Sequence, residues 1–147
     1  MAESTVQSIE VDASPSDVFS VAADIESYPD WANGIKQVEV LEHDAEGRPR
    51  RAAFVLEAFV KEVAYELVYE YDEPHRISWV ADPSPDIEML EGSYSFTKTD
   101  DGSTDVVYAF TVSPAFKVPG FIRRQAEKQI VTTALRGLRA RVQETSV

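Results

Sequence analysis

The residues best suited to chemistry in this chain are four tyrosines on the predicted inward faces of strands: Tyr65, Tyr69, Tyr94 and Tyr108. A phenol hydroxyl can position or protonate a polar group of a bound molecule. Each buried hydroxyl needs a partner, because an unsatisfied one costs on the order of 1–3 kcal/mol. Four such hydroxyls therefore indicate a lining that meets water or a polar group of a ligand.

Other aromatic residues share these inward faces, namely Phe54, Trp79, Phe96 and Phe110. Inward aromatic side chains usually belong to the core of a protein. A curved sheet that is closed by one helix cannot easily fill its own concavity, however, and this favours a ligand cavity. A fully packed core is the alternative.

Several kinds of active site are excluded by residues that the chain lacks. It has no cysteine, which excludes thiol nucleophiles, disulfides and thiolate metal sites. Walker loops, Gly-rich dinucleotide turns and the HExxH and GxSxG motifs are also absent. The two histidines, His43 and His75, lie next to predicted turns, where a histidine is far more often exposed than a ligand or a base. We therefore expect no cofactor and no metal.

Carboxylates are abundant, but most fall at outward positions of strands, where a solvated face explains them. Glu57 and Glu62 differ, because they flank the predicted turn Ala58–Lys61 and could reach the mouth of a cavity. The favoured explanation is structural: charges at a hairpin tip discourage the pairing of strand edges between molecules.

The net charge of −12 is spread unevenly along the chain. From Lys117 onward, seven basic and two acidic residues give +5, whereas the seven basic and 24 acidic residues before it give −17. Phosphate contacts need a basic surface, so we expect no nucleic-acid partner. The basic segment either balances an acidic sheet, which we favour, or contacts an anionic lipid surface or an acidic partner.

The elements that must position these residues follow from hydrophobic periodicity and turn signals. Strands are predicted over 5–11, 35–44, 50–59, 62–72, 76–81, 88–99 and 104–113, and a long helix from about 119 to 143. Ser14 before Pro15 predicts the start of one short helix, and Ser27–Trp31 predicts a second. We expect a single domain over residues 1–147.

Three segments carry a resemblance to a known family: IEVDASPSDVFSVAADIESYPDW, RISWVADPSPDIEMLEGSYSF and GSTDVVYAFTV. They resemble the actinobacterial branch of the polyketide cyclase/dehydrase and lipid-transport family in the START-like (SRPBCC) superfamily. Coenzyme Q-binding proteins are more distant relatives. The resemblance covers essentially the whole chain. It implies an α+β helix-grip (START/Bet v 1-like) fold, with a curved antiparallel sheet of about seven strands, two short helices and a long C-terminal helix across the sheet.

The resemblance also implies a hydrophobic cavity between the sheet and the long helix, which would bind lipids, quinones, sterol-like molecules or polyketides. Its mouth would lie among the loops 58–61, 82–87 and 114–119, with Phe59, Pro83, Pro85 and Phe116 as entry residues. The lining would comprise the inward aromatic residues named above together with Trp31, Leu56, Leu67, Phe121 and Ile122.

Three functions follow as hypotheses, and the favoured one is non-catalytic binding or transport of an apolar small molecule such as a lipid, quinone or polyketide-like compound. The second is a polyketide cyclase, aromatase or dehydratase, in which one of the four tyrosines acts on an enolisable poly-β-ketone. Enzymes of the family use polar groups inside the pocket, and no such set matches here residue by residue. The third is contact of the basic C-terminal helix with a membrane or a protein.

The N-terminal segment has neither a basic region nor an apolar run of signal-peptide length, and no stretch approaches a membrane span. We therefore expect a cytoplasmic, soluble protein whose partner is an apolar small molecule. The sequence leaves monomer and homodimer open.

Overall fold

The computed structural model describes residues 5–32, 34–57 and 62–145 of the chain. The elements are β1 (Thr5–Val11), α1 (Pro15–Ala23), a 3-10 turn (Ile25–Ser27), α2 (Tyr28–Trp31), β2 (Ile35–His43), β3 (Pro49–Glu57), β4 (Glu62–Asp72), β5 (Arg76–Ala81), β6 (Ile87–Lys98), β7 (Thr104–Pro114) and α3 (Gly120–Thr145). The predicted order of strands and helices is confirmed, with the 3-10 turn as an addition. The predicted end of the third strand, Ala58 and Phe59, lies outside the described residues.

The seven described strands form one antiparallel sheet in the order β1-β7-β6-β5-β4-β3-β2. From β2 to β7 each strand pairs with its successor, whereas β1 joins the far side of the sheet beside β7. The sheet is curved, and α3 packs along β1 and β7. The predicted α+β helix-grip fold is confirmed.

The alternation of side chains along the strands sorts the sheet into an inner and an outer face, and β4 illustrates it best. Val63, Tyr65, Leu67 and Tyr69 are buried, whereas the glutamates on the opposite face (Glu62, Glu66 and Glu70) are exposed. Successive side chains of a strand point to opposite faces, so a single register decides which residues reach the interior.

Helix α1 closes one end of the concave face. Its first turn is capped by Ser14, whose Oγ accepts a hydrogen bond of 3.3 Å from the backbone N–H of Asp17, and Pro15 follows the cap as predicted. Phe19 of this helix meets Phe96 edge to face, with 5.9 Å between the ring centroids. Aromatic packing therefore fills this end of the interior.

Helix α3 covers the remaining part of the concave face through a buried stripe of Val131, Leu135, Leu138 and Val142. The stripe follows steps of four and three residues, as expected of a helix with one apolar side. Gly137 lets the helix approach α2 closely. A Cβ atom there would lie only 3.0 Å from the carbonyl oxygen of Trp31 and 3.2 Å from Cε3 of its ring.

A second glycine shapes the inner face of the sheet. Gly92 of β6 pairs with Trp79 of β5, and the indole of Trp79 lies directly over the Cα of Gly92. A Cβ atom at Gly92 would lie 2.7 Å from three atoms of that indole. Only glycine leaves enough room for Trp79 to lie against the sheet in this position.

We expect Gly92→Ala to lower the free energy of unfolding by about 1–3 kcal/mol, because the added methyl group forces the indole out of its position. Urea denaturation followed by tryptophan fluorescence measures this, and the emission of the folded state should shift as well. Ser93→Ala, one residue along the strand on the outer face, is the matched control. An unchanged unfolding midpoint and emission maximum in Gly92→Ala would contradict the prediction.

Candidate functional site

A cavity of about 100 Å³ lies between the inner face of the sheet, α2 and α3. Its lining residues come from every described strand except β1, from α2 and the residue that follows it, and from α3. They are Tyr28, Trp31, Ala32, Ile35, Phe54, Leu56, Tyr65, Leu67, Tyr69, Trp79, Leu90, Tyr94, Tyr108, Phe110, Ile130 and Ala134. None of these described lining residues carries a formal charge.

The register of the sheet brings the aromatic lining residues together in cross-strand pairs. Phe54 lies opposite Tyr65, and the two rings stack with centroids 5.4 Å apart. Tyr94 lies opposite Tyr108, and these rings meet edge to face at 4.6 Å. The ring centroid of Trp79 lies between 5.4 and 5.9 Å from the ring centroids of Tyr69, Tyr94 and Tyr108. The inner wall is therefore a continuous aromatic surface.

The tyrosine hydroxyls fall into two groups. The hydroxyl of Tyr28 donates to the carbonyl oxygen of Ala22, and that of Tyr71 donates to the carbonyl oxygen of Pro49. The hydroxyls of the four tyrosines singled out in the sequence (Tyr65, Tyr69, Tyr94 and Tyr108) have no hydrogen-bond partner among the described residues. These four side chains line the cavity, and each is more than nine-tenths buried.

Burial keeps these phenols protonated. It raises the pKa of Tyr65 above its ordinary value of 10.0, and the pKa values of Tyr69, Tyr94 and Tyr108 rise well above it. Repulsion between neighbouring tyrosinates adds to the effect of burial at the latter three. At neutral pH the cavity therefore presents four uncharged hydroxyl groups that can donate hydrogen bonds.

Most of the predicted lining residues do border the cavity. They are Trp31, Phe54, Leu56, Tyr65, Leu67, Tyr69, Trp79, Tyr94, Tyr108 and Phe110. Their role in binding a ligand stays a prediction. Trp31 is the only one that α2 contributes, and its ring packs edge to face on Tyr28 at 5.0 Å.

Three predicted lining residues lie elsewhere: Phe96, Phe121 and Ile122 do not border the cavity. Phe96 belongs to the closed end of the interior, where Phe19 of α1 covers it. Phe121 is 66% exposed, because nine residues, or two and a half helical turns, separate it from the cavity-lining Ile130 and place it on the opposite side of α3. Ile122, one residue further along, is partly buried and lies eight residues before Ile130, or about 12 Å along the helix axis.

The predicted mouth residues are dispersed. Pro83 and Pro85 do not border the inner cavity, because their loop is fastened to the edge of β4 that extends beyond β5. Ser84 Oγ donates to the carbonyl oxygen of Ala64 at 3.3 Å, and the N–H of Ala64 donates to Asp86 Oδ2 at 3.1 Å. Phe116 is partly buried against the core. Phe59 lies outside the described residues.

The two prolines instead border a groove of about 460 Å³ on the outer face of β2, β3 and β4. Its floor carries small side chains such as Ala53 and Ala64, and it is open to solvent. Glu66 and Asp82 on its rim are ion-paired with Arg51. Although this groove is larger, the inner cavity is the candidate site, because it is less open to solvent, apolar and lined by hydroxyls that lack partners among the described residues.

Sequence reasoning missed six lining residues: Tyr28, Ala32, Ile35, Leu90, Ile130 and Ala134. The sequence did contain a signal for Ile130 and Ala134 of α3, because residues four apart share a helix face and both lie beside the buried stripe. The sequence also indicated Leu90, since it lies at alternate positions with Gly92 and Tyr94 along β6 and therefore shares their face of the sheet. Ala32 and Ile35 reach the cavity only through the bend between α2 and β2.

Glu57 and Glu62 face each other at the end of the β3–β4 pair, and both are exposed. Glu62 Oε2 lies 2.5 Å from Lys36 Nζ, so its charge is paired at the surface. His43 and His75 are exposed. Among the described residues no group of three or more metal-ligating side chains is found, and no helix is long and apolar enough to cross a membrane.

Comparison with known proteins gives one match to a family. The profile of the family described as "Polyketide cyclase / dehydrase and lipid transport" matches residues 2–143. No curated protein matches the chain. The actinobacterial placement of the chain stays a prediction.

Several solved structures share the fold. A START superfamily protein from Mycobacterium smegmatis is 22% identical with a TM-score of 0.87, and the match covers 97% of this chain and 98% of that one. The Zhui aromatase/cyclase from Streptomyces sp. R1128 is 12% identical with a TM-score of 0.87, covering 100% and 97%. A STAR-related lipid transfer protein fragment from Xanthomonas axonopodis is 18% identical with a TM-score of 0.72, covering 95% and 85%. At these identities the likeness concerns the fold alone.

The raised pKa values predict a delayed alkaline titration, since all six tyrosines of the chain are affected. Unfolded tyrosines ionise near pH 10.0, so the folded state is fully stabilised below that pH and loses stability as the pH rises above it. As the pH is raised, the absorbance of tyrosinate should therefore increase over the same pH range in which the circular dichroism of the folded chain is lost. Tyrosinate formation near pH 10 in a chain that is still folded would contradict the prediction.

Proposed function

The chain belongs to the polyketide cyclase / dehydrase and lipid transport family, and from this premise we propose that it binds an apolar small molecule and releases it unchanged. The observation that carries the proposal is the cavity between the sheet and α3, whose described lining is apolar and aromatic. Burial of apolar ligand surface in such a cavity supplies the driving force for binding.

The chemistry of the lining favours binding over catalysis. An efficient general acid or base has a pKa near the working pH, whereas the cavity tyrosines have pKa values above 10.0. No described lining residue is a carboxylate, a histidine or a cation that would take or give a proton at neutral pH. A cyclase or dehydratase would depend on a tyrosine alone, and we place it second.

The proposal can be tested by filling the cavity. Ala134 of α3 lines it, whereas Ala140 of the same helix is exposed, so Ala134→Leu and Ala140→Leu form a matched pair. The chains are purified from the native host, denatured and extracted, and the extract is analysed by mass spectrometry. We expect an apolar molecule from the unmodified chain and from Ala140→Leu, and at least about tenfold less from Ala134→Leu, because the larger side chain occupies the cavity.

Thermal denaturation checks that both variants are folded, because a larger side chain in a small cavity can cost stability. Recovery of the same amount from both variants would contradict the location of the site. No molecule from the unmodified chain, together with no binding of apolar probes in solution, would contradict the function.

A second candidate function is contact with an anionic membrane, and the exposed side of α3 favours it. Phe121 is 66% exposed, and Arg124 and Lys128 follow it on the same side of the helix, three and seven residues later. The segment from Lys117 onward carries +5 against a chain total of −12, so the charge is concentrated here. An exposed aromatic ring among cations is typical of helices that lie on anionic lipid surfaces.

We expect the chain to sediment with vesicles of phosphatidylcholine and phosphatidylserine at low salt, and to be released by added salt. Phe121→Ala and Arg124→Gln should each weaken this binding, because they remove the apolar anchor and a basic contact. Arg76→Gln, a matched loss of charge on the sheet, should leave it unchanged. Equal binding to vesicles of phosphatidylcholine alone, or no binding at low salt, would remove this candidate.

A further inference from the structure

The interior contains more hydrogen-bond donors than the described chain satisfies. The hydroxyls of Tyr65, Tyr69, Tyr94 and Tyr108 border one cavity, and none has a partner among the described residues. Buried polar groups in folded proteins are nearly always hydrogen-bonded. Because these four hydroxyls border the cavity, an occupant that offers acceptors, whether water or a ligand, can pair with them.

The size of the cavity limits what that occupant can be. Pockets for drug-sized ligands measure roughly 300–1,000 Å³, whereas an engineered cavity of about 150 Å³ holds a benzene molecule. At about 100 Å³ the present cavity is smaller than that benzene-binding cavity but partly open to solvent, so it has room for no more than one ring. Several fused rings or two acyl chains exceed it.

The lining also determines the charge of the occupant. An ionised ligand would lose its hydration, and no described lining residue carries an opposite charge to compensate. The buried carboxylate nearest along α3 is Glu127, one turn before Ile130, and it faces Arg123 Nε at 3.9 Å and Thr5 Oγ1 at 3.5 Å. An uncharged molecule is thus preferred over an anion or a cation.

We propose that the cavity selects a single uncharged ring that carries a carbonyl-type oxygen, which accepts hydrogen bonds from the tyrosine hydroxyls. This inference rests on the proposed function and adds to it the chemical class of the ligand. The aromatic walls contact the faces of the ring, and the phenols contact its oxygen. Trp79, lying flat on Gly92, forms the wall against which the ring packs.

Three probes with the same number of non-hydrogen atoms test the inference by titration calorimetry. Acetophenone has the ring and the carbonyl oxygen, α-methylstyrene replaces that oxygen by a methylene group, and benzoate adds a negative charge. We expect acetophenone to bind about tenfold more tightly than α-methylstyrene, although it is the less hydrophobic of the two. Benzoate should bind at least about tenfold more weakly than acetophenone.

Tyrosine variants show which hydroxyls act. Tyr94→Phe and Tyr108→Phe should weaken acetophenone binding by about three- to tenfold and leave α-methylstyrene unchanged or more tightly bound. Tyr71→Phe is the matched control, because its hydroxyl donates to Pro49 and Tyr71 does not border the cavity. The infrared C=O stretch of bound acetophenone should lie below its value in hexane and return toward it in the cavity variants. A purely structural role of the tyrosines would not move this band.

The possible outcomes distinguish a failure of the ligand class from a failure of the proposed apolar binding. Equal affinities for acetophenone and α-methylstyrene would mean that trapped water satisfies the hydroxyls, and would overturn the inference while apolar binding stands. Tighter binding of benzoate would overturn the preference for an uncharged ligand. If benzophenone, with its second ring, bound as tightly as acetophenone, the size limit would fall. If none of the probes bound the unmodified chain, the inference would fall, and the proposed function would fail with it only if extraction of the chain from its native host also recovered no apolar molecule.

Discussion

The burial of the concave face of the sheet under α3 is the constraint on which the rest of the structure depends. A curved sheet exposes a large apolar surface that its own strands cannot cover, and one helix with a single apolar side must cover it. The close approach at Gly137 sets α3 against Trp31, and Phe19 of α1 fills one end. What these contacts leave unfilled is the cavity.

The cavity wall combines two tendencies that usually oppose each other. Aromatic rings bury much apolar surface, yet each phenol also brings a hydroxyl that needs a partner. At Tyr28 and Tyr71 the backbone provides that partner, and each side chain links two segments of the fold through its hydrogen bond. The described backbone provides no partner for the hydroxyls of four other tyrosines, Tyr65, Tyr69, Tyr94 and Tyr108. These hydroxyls can therefore form hydrogen bonds with whatever occupies the cavity.

The sequence predicted the strands and the inward faces well because their signal is local. Alternation along β4 and β6 requires only that neighbouring side chains point to opposite faces, and it placed Tyr65 and Tyr94 correctly in the interior. The prediction for the start of α3 was less accurate. Its apolar residues Phe121 and Ile122 were assigned to the lining, although the helical period carries Phe121 to the outer side.

By itself, then, the sequence determined the family, the order of elements, the faces of the strands and the excess of tyrosines inside. Only the tertiary structure decided which of those tyrosines find a backbone partner, how small the remaining cavity is, and that Pro83 and Pro85 face an outer groove. These properties depend on the distance between segments far apart in the chain, such as Gly137 and Trp31 or Gly92 and Trp79. Periodicity fixes the direction of a side chain, whereas only packing fixes what it meets.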